Sequence, residues 1–511
     1  MAEAVSQPTL VVKNKGLLTA AIMLAMVMQV LDTTIANVAL PHMRASLSAS
    51  QDEVSWVLTS YIVAAAIATP LSGWLADRLG RRNLLLIGVA GFTVASLLCG
   101  IATSLPEMVM FRVAQGIFGA TLAPLAQAIM LDINPREKMS QAMALFGAGI
   151  MVAPIIGPTL GGILTENFDW RAVFLINLPI GILALTALYI YMPNEKPKIR
   201  PFDFFGFGLL AIAVASVQMI FDRGSSVGWF DSPEIWLYLG LAISCMWMFV
   251  VHCWTAEHPF VDLAMFKDRN FVSGLFFIFM IGITAFAGLA LLPPLLQGLM
   301  GYSVISSGIV MAPRGVGTFI SMIVVGRLVG RIDARVLVIT GIAISAWSLF
   351  MMTGFDIVMD QGPLLISGLL QGIGLGLVFV PLNTLAFATT NPKHRIDATA
   401  IFSLVRNVGQ GVGISLVTTI LASMIQVNNS EIASRITLNS SQIRDLPGVL
   451  QGIGTTLQSM TGLVAQQAAM IAYLDDFWFM AIITVVSAPL VLLLRNPKNK
   501  PKLDPAHAIS E

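Results

Sequence analysis

Charge is what this 511-residue chain has least of: lysine, arginine, aspartate and glutamate together make up 11% of it, where ordinary soluble domains carry about 25%. With 56% apolar residues, that scarcity excludes a soluble globular domain and indicates a polytopic membrane protein. A net charge of +1 provides no basic surface for nucleic acid. Cysteine is scarce too. Cys99, Cys245 and Cys253 are odd in number, form no C-x-x-C pair and lie in or beside apolar runs, so they read as small hydrophobes rather than a disulfide framework. The five histidines, His42, His252, His258, His394 and His507, fall at span ends, in loops or in the tail, which argues against a membrane-buried metal site. No Gly-Lys pair occurs, so no Walker A loop takes ATP as an energy source, and H-E-x-x-H is absent. Neither an enzyme nor a cofactor is expected.

What is present is a succession of apolar runs. A helix needs about 20 such residues to cross a bilayer, and fourteen stretches qualify: 17–40, 54–76, 83–103, 107–131, 140–164, 172–192, 204–222, 234–255, 271–297, 304–327, 336–354, 362–388, 398–425 and 477–494. The first follows Lys13 and Lys15 and is too long for a signal-peptide core, so it reads as an uncleaved span. An even number puts both termini on one side. That side holds most of the 29 basic residues, including Arg78, Arg81, Arg82, Arg136, Lys138, Lys196, Lys198, Arg200, Arg331, Arg335 and Lys393. The other side has few, such as Arg44, Arg171 and Arg223, so both termini are expected in the cytoplasm.

The stretch Gly73-Trp74-Leu75-Ala76-Asp77-Arg78-Leu79-Gly80-Arg81-Arg82 closes span 2, and a degraded echo, Gly326 to Arg335, closes span 10. Gln115-Gly116 in span 4 and Gln371-Gly372 in span 12 also correspond. Spans 1–6 and 9–14 therefore read as two related halves, residues 1–200 and 269–511, with two inserted spans in 201–268. Such repeats mark secondary transporters, whose site lies near the midplane between the halves. One long segment, 426–476, is expected outside. Its apolar residues at 446, 449, 450, 453, 457, 460 and 463 suggest helices rising from spans 13 and 14 rather than a separate domain.

Within span 1 the run Leu31-Asp32-Thr33-Thr34-Ile35-Ala36-Asn37-Val38-Ala39-Leu40-Pro41 contains one ionisable residue. Gln29, Asp32, Thr33, Ala36 and Asn37 recur at helical spacing, which puts the polar groups on one expected face. A carboxylate at a helix centre costs about 2.5–3.5 kcal/mol to insert. Two readings account for it: a water-accessible protonatable site, or an interhelical hydrogen-bond anchor.

The Gly73–Arg82 stretch is the most specific signal. Gly73 permits close helix approach, Asp77 ends a helix, and Arg78, Gly80, Arg81 and Arg82 form a tight turn; an acid there can hold a neighbouring helix N-terminus. In span 5, Pro154, Gly157, Pro158, Gly161 and Gly162 make one small-residue face that favours close packing, and the prolines bend the helix. Arg314 and Arg406 lie inside spans. The 27 methionines and 28 phenylalanines are either an adaptable drug pocket or plain apolar filler.

Taken together, these stretches resemble the major facilitator superfamily: its signature loop at Gly73–Arg82, its antiporter motif at Gly157-Pro158-Thr159-Leu160-Gly161-Gly162, and a companion motif at Arg112, Gln115, Gly116 and Gly119. With Leu31–Pro41, Trp170–Gly181, Asp222-Arg223-Gly224, Asp268–Phe271 and Ala312–Gly315, the chain is similar to the fourteen-span drug:proton antiporters of the EmrB/QacA type. The Gln466-Gln467-Ala468-Ala469 to Asp475-Asp476-Phe477-Trp478 stretch resembles EmrB relatives in particular.

The resemblance implies a 6+2+6 all-α membrane fold in a bacterial inner membrane and proton-driven export of hydrophobic or amphipathic molecules. It implies a partnership with a periplasmic adaptor and an outer-membrane channel of the EmrA/TolC kind. Asp32 and Arg112 would couple the proton. Gln29, Thr33, Asn37, Gln115, Asn383, Arg406 and Gln410 would line a cavity formed by spans 1, 2, 4, 5, 9, 10, 12 and 13. Gly73, Asp77, Arg78, Gly80, Arg81, Pro154, Gly157, Pro158 and Gly161 would gate it. Some relatives carry further acids in spans 10 or 13, where this chain has Arg314 and Arg406, so a two-acid scheme does not carry over. A dedicated exporter of one metabolite or siderophore, and a sensor that does not transport, are the alternatives.

Overall fold

The computed structural model describes residue 10 and residues 12–135, 138–195, 197, 201–329, 331–390, 394–435 and 453–493. Fourteen of its helices are long and apolar enough to cross a membrane. In chain order, spans 1 to 14 are Lys15–Ser46, Glu53–Leu79, Arg81–Ile101, Leu105–Asp132, Met139–Asn167, Ala172–Tyr191, Phe204–Val227, Pro233–Thr255, Arg269–Leu299, Val304–Leu328, Ala334–Met352, Gln361–Ala388, Arg395–Ser434 and Thr461–Val491. Arg136, Lys196, Lys198, Arg200, Gly330 and Lys393, along with the apolar positions 446, 449 and 450, lie outside the described residues.

Short polar residues set the helix ends. Asn14 accepts from the Leu17 N–H at 3.2 Å to start span 1. Ser50 and Glu53 form a capping box at span 2, with Glu53 accepting from the Ser50 N–H at 2.8 Å. No loop separates spans 2 and 3: Gly80 ends one helix and begins the next at φ +80°, a left-handed value that favours glycine. Pro154 and Pro158 sit inside span 5, each removing one backbone hydrogen bond. Pro293 and Pro294 precede a π-helical turn at Leu295–Leu299 that ends span 9.

The bundle has two faces: a proximal one, bearing Asn14 and Gly80, and a distal one at the other end of span 1. On the proximal side the halves are closed upon each other. Gly73 of span 2 lies against Asp397 of span 13, where an added Cβ would come 1.6 Å from Oδ1. Gly326 of span 10 lies against Ala144 of span 5, where a Cβ would come 2.6 Å from the alanine methyl. The internal repeat thus supplies a glycine to each of two proximal helix contacts between the halves. Ser140 Oγ donates to the Gly326 carbonyl at 3.0 Å, Thr399 Oγ1 to the Pro124 carbonyl at 3.0 Å and Gln127 Nε2 to Asn383 Oδ1 at 2.8 Å. Asp132, at the end of span 4, is 1% exposed and ion-paired with both Arg81 and Arg395.

On the distal side, the helix of span 13 runs on to Arg435, and the helix of span 14 begins at Ile453. The expectation of helices rising from these spans therefore holds for the described residues. The start of span 14 needs correction. Asp475 and Asp476 lie within its helix, not before it, and Asp476 is fully buried. The two acids and the Gln466-Gln467 pair lower local hydropathy, which disguised an uninterrupted helix as a loop.

Candidate functional site

Asp32 sits at the centre of a closed polar cluster inside the first half. Arg112 Nη1 donates to its Oδ2 at 2.6 Å, while Gln115 Nε2 and Asn177 Nδ2 each donate to Oδ1 at 2.8 Å. The partners are themselves held. Arg112 donates from Nη1 to Gln115 Oε1 at 2.7 Å and from Nε to the Val57 carbonyl at 2.9 Å. Asn177 also donates to Ser96 Oγ at 2.9 Å, and Ser96 donates to the Phe174 carbonyl at 3.0 Å. The Arg112 guanidinium lies 4.4 Å from the Tyr61 ring centre and 5.7 Å from that of Phe174. Neither charged side chain of the Asp32–Arg112 pair has any exposed surface. Such a pair persists in an apolar interior because hydrogen bonds offset its desolvation; removing one partner of a buried pair costs about 3–5 kcal/mol.

Beside this cluster a cavity of about 740 Å³ lies between the halves. It extends from Ala123, Pro124 and Ser403 in mid-bundle to His42, Glu166 and Gln297 near the distal face. Since the proximal side is closed, the cavity faces distally. Gln29, Thr33, Asn37, Arg406 and Gln410, all expected on its wall, do line it. Asp32 does not share their face: three residues beyond Gln29 it is turned by about 60° around the helix, into the first half. Arg112, without exposed surface of its own, borders the cavity as well as pairing with Asp32, so it stands between the acid and the open space.

Other expected residues fall elsewhere. Gln115 and Asn383 are fully buried away from the cavity lining: the first holds Asp32, and the second is pinned by Gln127 across the closed proximal contact. Span 12 contributes nothing to the lining, whereas span 7 contributes Gln218. Both are corrections to the expected wall. The span 5 motif divides between two jobs. Pro154, Pro158 and Gly162 face the cavity, while Gly157 and Gly161 pack on Thr34 and Ile35 of span 1. At Gly157 an added Cβ would come 2.1 Å from Thr34 Oγ1. Arg78 is exposed and lies 5.3 Å from the Trp74 ring, and Arg81 reaches Asp132 and Glu195. Asp77 follows Gly73 by one turn at the span 2–span 13 contact.

Several acids besides Asp32 lie within the span helices, among them Asp132, Asp222 and Asp476. Asp132 is the last residue of span 4, one place past the expected end, so it looked like a loop residue. Asp222 accepts from Thr59 Oγ1 of span 2 at 2.5 Å. The residues Gly224-Ser225-Ser226-Val227-Gly228 fit the spacing of a hydrolase nucleophile elbow. Here they end a helix, with Gly228 left-handed, and the strand-to-helix turn such an elbow needs is missing.

A model of the Major Facilitator Superfamily matches residues 22–414. The Multidrug export protein EmrB of Escherichia coli K12 is 34% identical over 488 residues, covering 94% of this chain and 95% of that protein. The Fatty acid resistance protein FarB of Neisseria gonorrhoeae is 35% identical over 482 residues, covering 93% and 95%. Among solved structures, the proton:xylose symporter XylE superposes with a TM-score of 0.59 at 14% identity, covering 93% of this chain and 95% of that one.

Proposed function

This chain belongs to the major facilitator superfamily, and from that premise we propose that it is the proton-driven permease of a multidrug efflux pump in a bacterial inner membrane. The Asp32–Arg112 pair carries the proposal, because its arginine also forms part of the cavity wall. When a proton neutralises Asp32, Arg112 loses its counter-charge and turns its cation toward the cavity. A bound amphipath, above all a cationic one, is then repelled toward the distal mouth. Loss of the proton toward the proximal side restores the pair and clears the cavity for reloading. Export of hydrophobic compounds fits a lining of aliphatic residues and prolines with a few amides and hydroxyls.

The lysine and arginine bias supports a cytoplasmic proximal face, with the cavity then facing the periplasm. One proton crossing about 100 mV provides about 2.3 kcal/mol, enough for about 50-fold concentration if exchange moves one net charge. The relatives and structural neighbours are transporters, and no covalent step is needed. The distal helices beyond spans 13 and 14 would meet a periplasmic adaptor, and through it an outer-membrane channel.

The deciding experiment reconstitutes the protein in liposomes with an imposed pH gradient and follows a fluorescent amphipathic dye, with and without an uncoupler. Gradient-dependent, uncoupler-sensitive dye movement is expected. Binding without movement would favour a sensor, and movement of one compound from a broad panel would favour a dedicated exporter.

A further inference from the structure

The two halves meet along two lateral slots, and they close in different ways. Spans 5 and 10 pack on each other from Gly326–Ala144 near the proximal face to Gly308–Thr159 and Gly162–Val304 in the distal half. Spans 2 and 13 meet mainly through the proximal part of span 2, Thr69–Leu79. Distally they part, and the first inserted helix, span 7, packs against both.

Two contacts fix it there. Asp222 accepts from Thr59 Oγ1 of span 2 at 2.5 Å. Gln218, one turn earlier, lies over Gly411 of span 13, where an added Cβ would come 3.0 Å from Nε2 and 3.3 Å from Oε1. Gln218 is 6% exposed and lines the cavity together with Leu58 and Ile62 of span 2 and Gln410 and Ile414 of span 13. Its amide has no hydrogen bond to a described residue. An amide within a membrane span is costly unless it meets protein, water or ligand, and the cavity is where this one finds the last two.

We propose that span 7 is the lateral wall of the substrate cavity, with Gln218 as a substrate-contacting, specificity-determining residue. The wall shuts the cavity off from lipid along the span 2–span 13 slot. An amphipath held there leaves through the distal mouth into water rather than sideways into the bilayer, and its polar group meets the Gln218 amide on the way. The assignment rests on the cavity being the transport site proposed above.

The test places an environment-sensitive thiol fluorophore at Gln218→Cys in the full chain, reconstituted in nanodiscs. Cys99, Cys245 and Cys253 are replaced by alanine so that labelling is selective, since Cys245 and Cys253 are buried to about the same degree as Gln218. Iodide is expected to quench the fluorophore strongly and doxyl-lipid nitroxides weakly, with lipid quenching rising when Asp222→Ala loosens the wall. In liposomes, Gln218→Leu is expected to raise KM about fivefold, the worth of one neutral hydrogen bond, for hydrogen-bonding dyes but not for tetraphenylphosphonium, which has no hydrogen-bonding group. Gly411→Ala, which presses on the same amide from the other side, should reproduce that split if Gln218→Leu folds poorly. Stronger quenching by lipid than by iodide, or a KM unchanged for every dye in both variants, overturns the proposal. The quenching readout needs no transport, so failure of gradient-driven export with iodide still dominant would count against the proton-driven reading alone.

Discussion

Gln127 in span 4 donates from Nε2 to Asn383 Oδ1 in span 12 at 2.8 Å, and both side chains are buried. The bond crosses from one half to the other on the closed proximal side, so it must break when the cavity turns to face that side. Asn383→Ala removes the acceptor and leaves the Gln127 amide unpaired. The distal-facing state should lose about 1–2 kcal/mol. Spin labels on the proximal ends of spans 4 and 12 should report a larger share of the separated state by pulsed dipolar spectroscopy; an unchanged distance distribution would contradict this.

Asp132 holds Arg81 of its own half and Arg395 of the other. Asp132→Asn keeps the shape and removes the charge, leaving the buried Arg395 uncompensated. Proximal cysteine labelling near Gly73 should rise and export should slow at least tenfold, since opening would no longer be matched by firm reclosure. Arg81→Ala should do less, because Arg81 is partly exposed and also reaches Glu195.

Asp32→Asn is expected to abolish uphill dye movement under a pH gradient while dye binding persists. The asparagine can still accept from Gln115 and Asn177, and the released Arg112 has the cavity to turn to. Wild-type transport by the variant would remove Asp32 from the coupling.

Gly157→Ala drives a methyl group into Thr34. Overpacking of this kind costs about 1–3 kcal/mol, so the melting temperature in detergent should fall. Thr34→Ala, which removes the colliding oxygen, should recover part of the loss. If the second substitution has no effect, the contact between spans 1 and 5 is not what makes Gly157 necessary.

Deletion of residues 438–464 removes the distal start of the span 14 helix, which begins at Ile453. Co-purification with a periplasmic adaptor should be lost while dye transport in liposomes survives. The reverse result would make the segment a lid over the cavity.

How far the sequence reached depends on the range of each interaction. Crossing helices need only length and apolarity, both local, so all fourteen spans could be read from the chain, and Gly80 and the prolines of span 5 could be placed by their backbone demands. Asp32 stood out because a charge inside a span is costly wherever it lies, and Arg112 through the motif it forms with Gln115, Gly116 and Gly119. Facing is another matter. In a bilayer the lipid-facing and protein-facing sides of a helix are both apolar, so periodicity does not tell which side packs. Asp32 therefore looked like a neighbour of Gln29 and Asn37 on one cavity wall. Only packing showed it turned inward to Asn177, 145 residues away. Asp132 finds its second arginine 263 residues along the chain, and Gln218 reaches the cavity because span 7 lies between helices of opposite halves. Contacts at such separations are decided by how the two halves dock, and no local pattern encodes that.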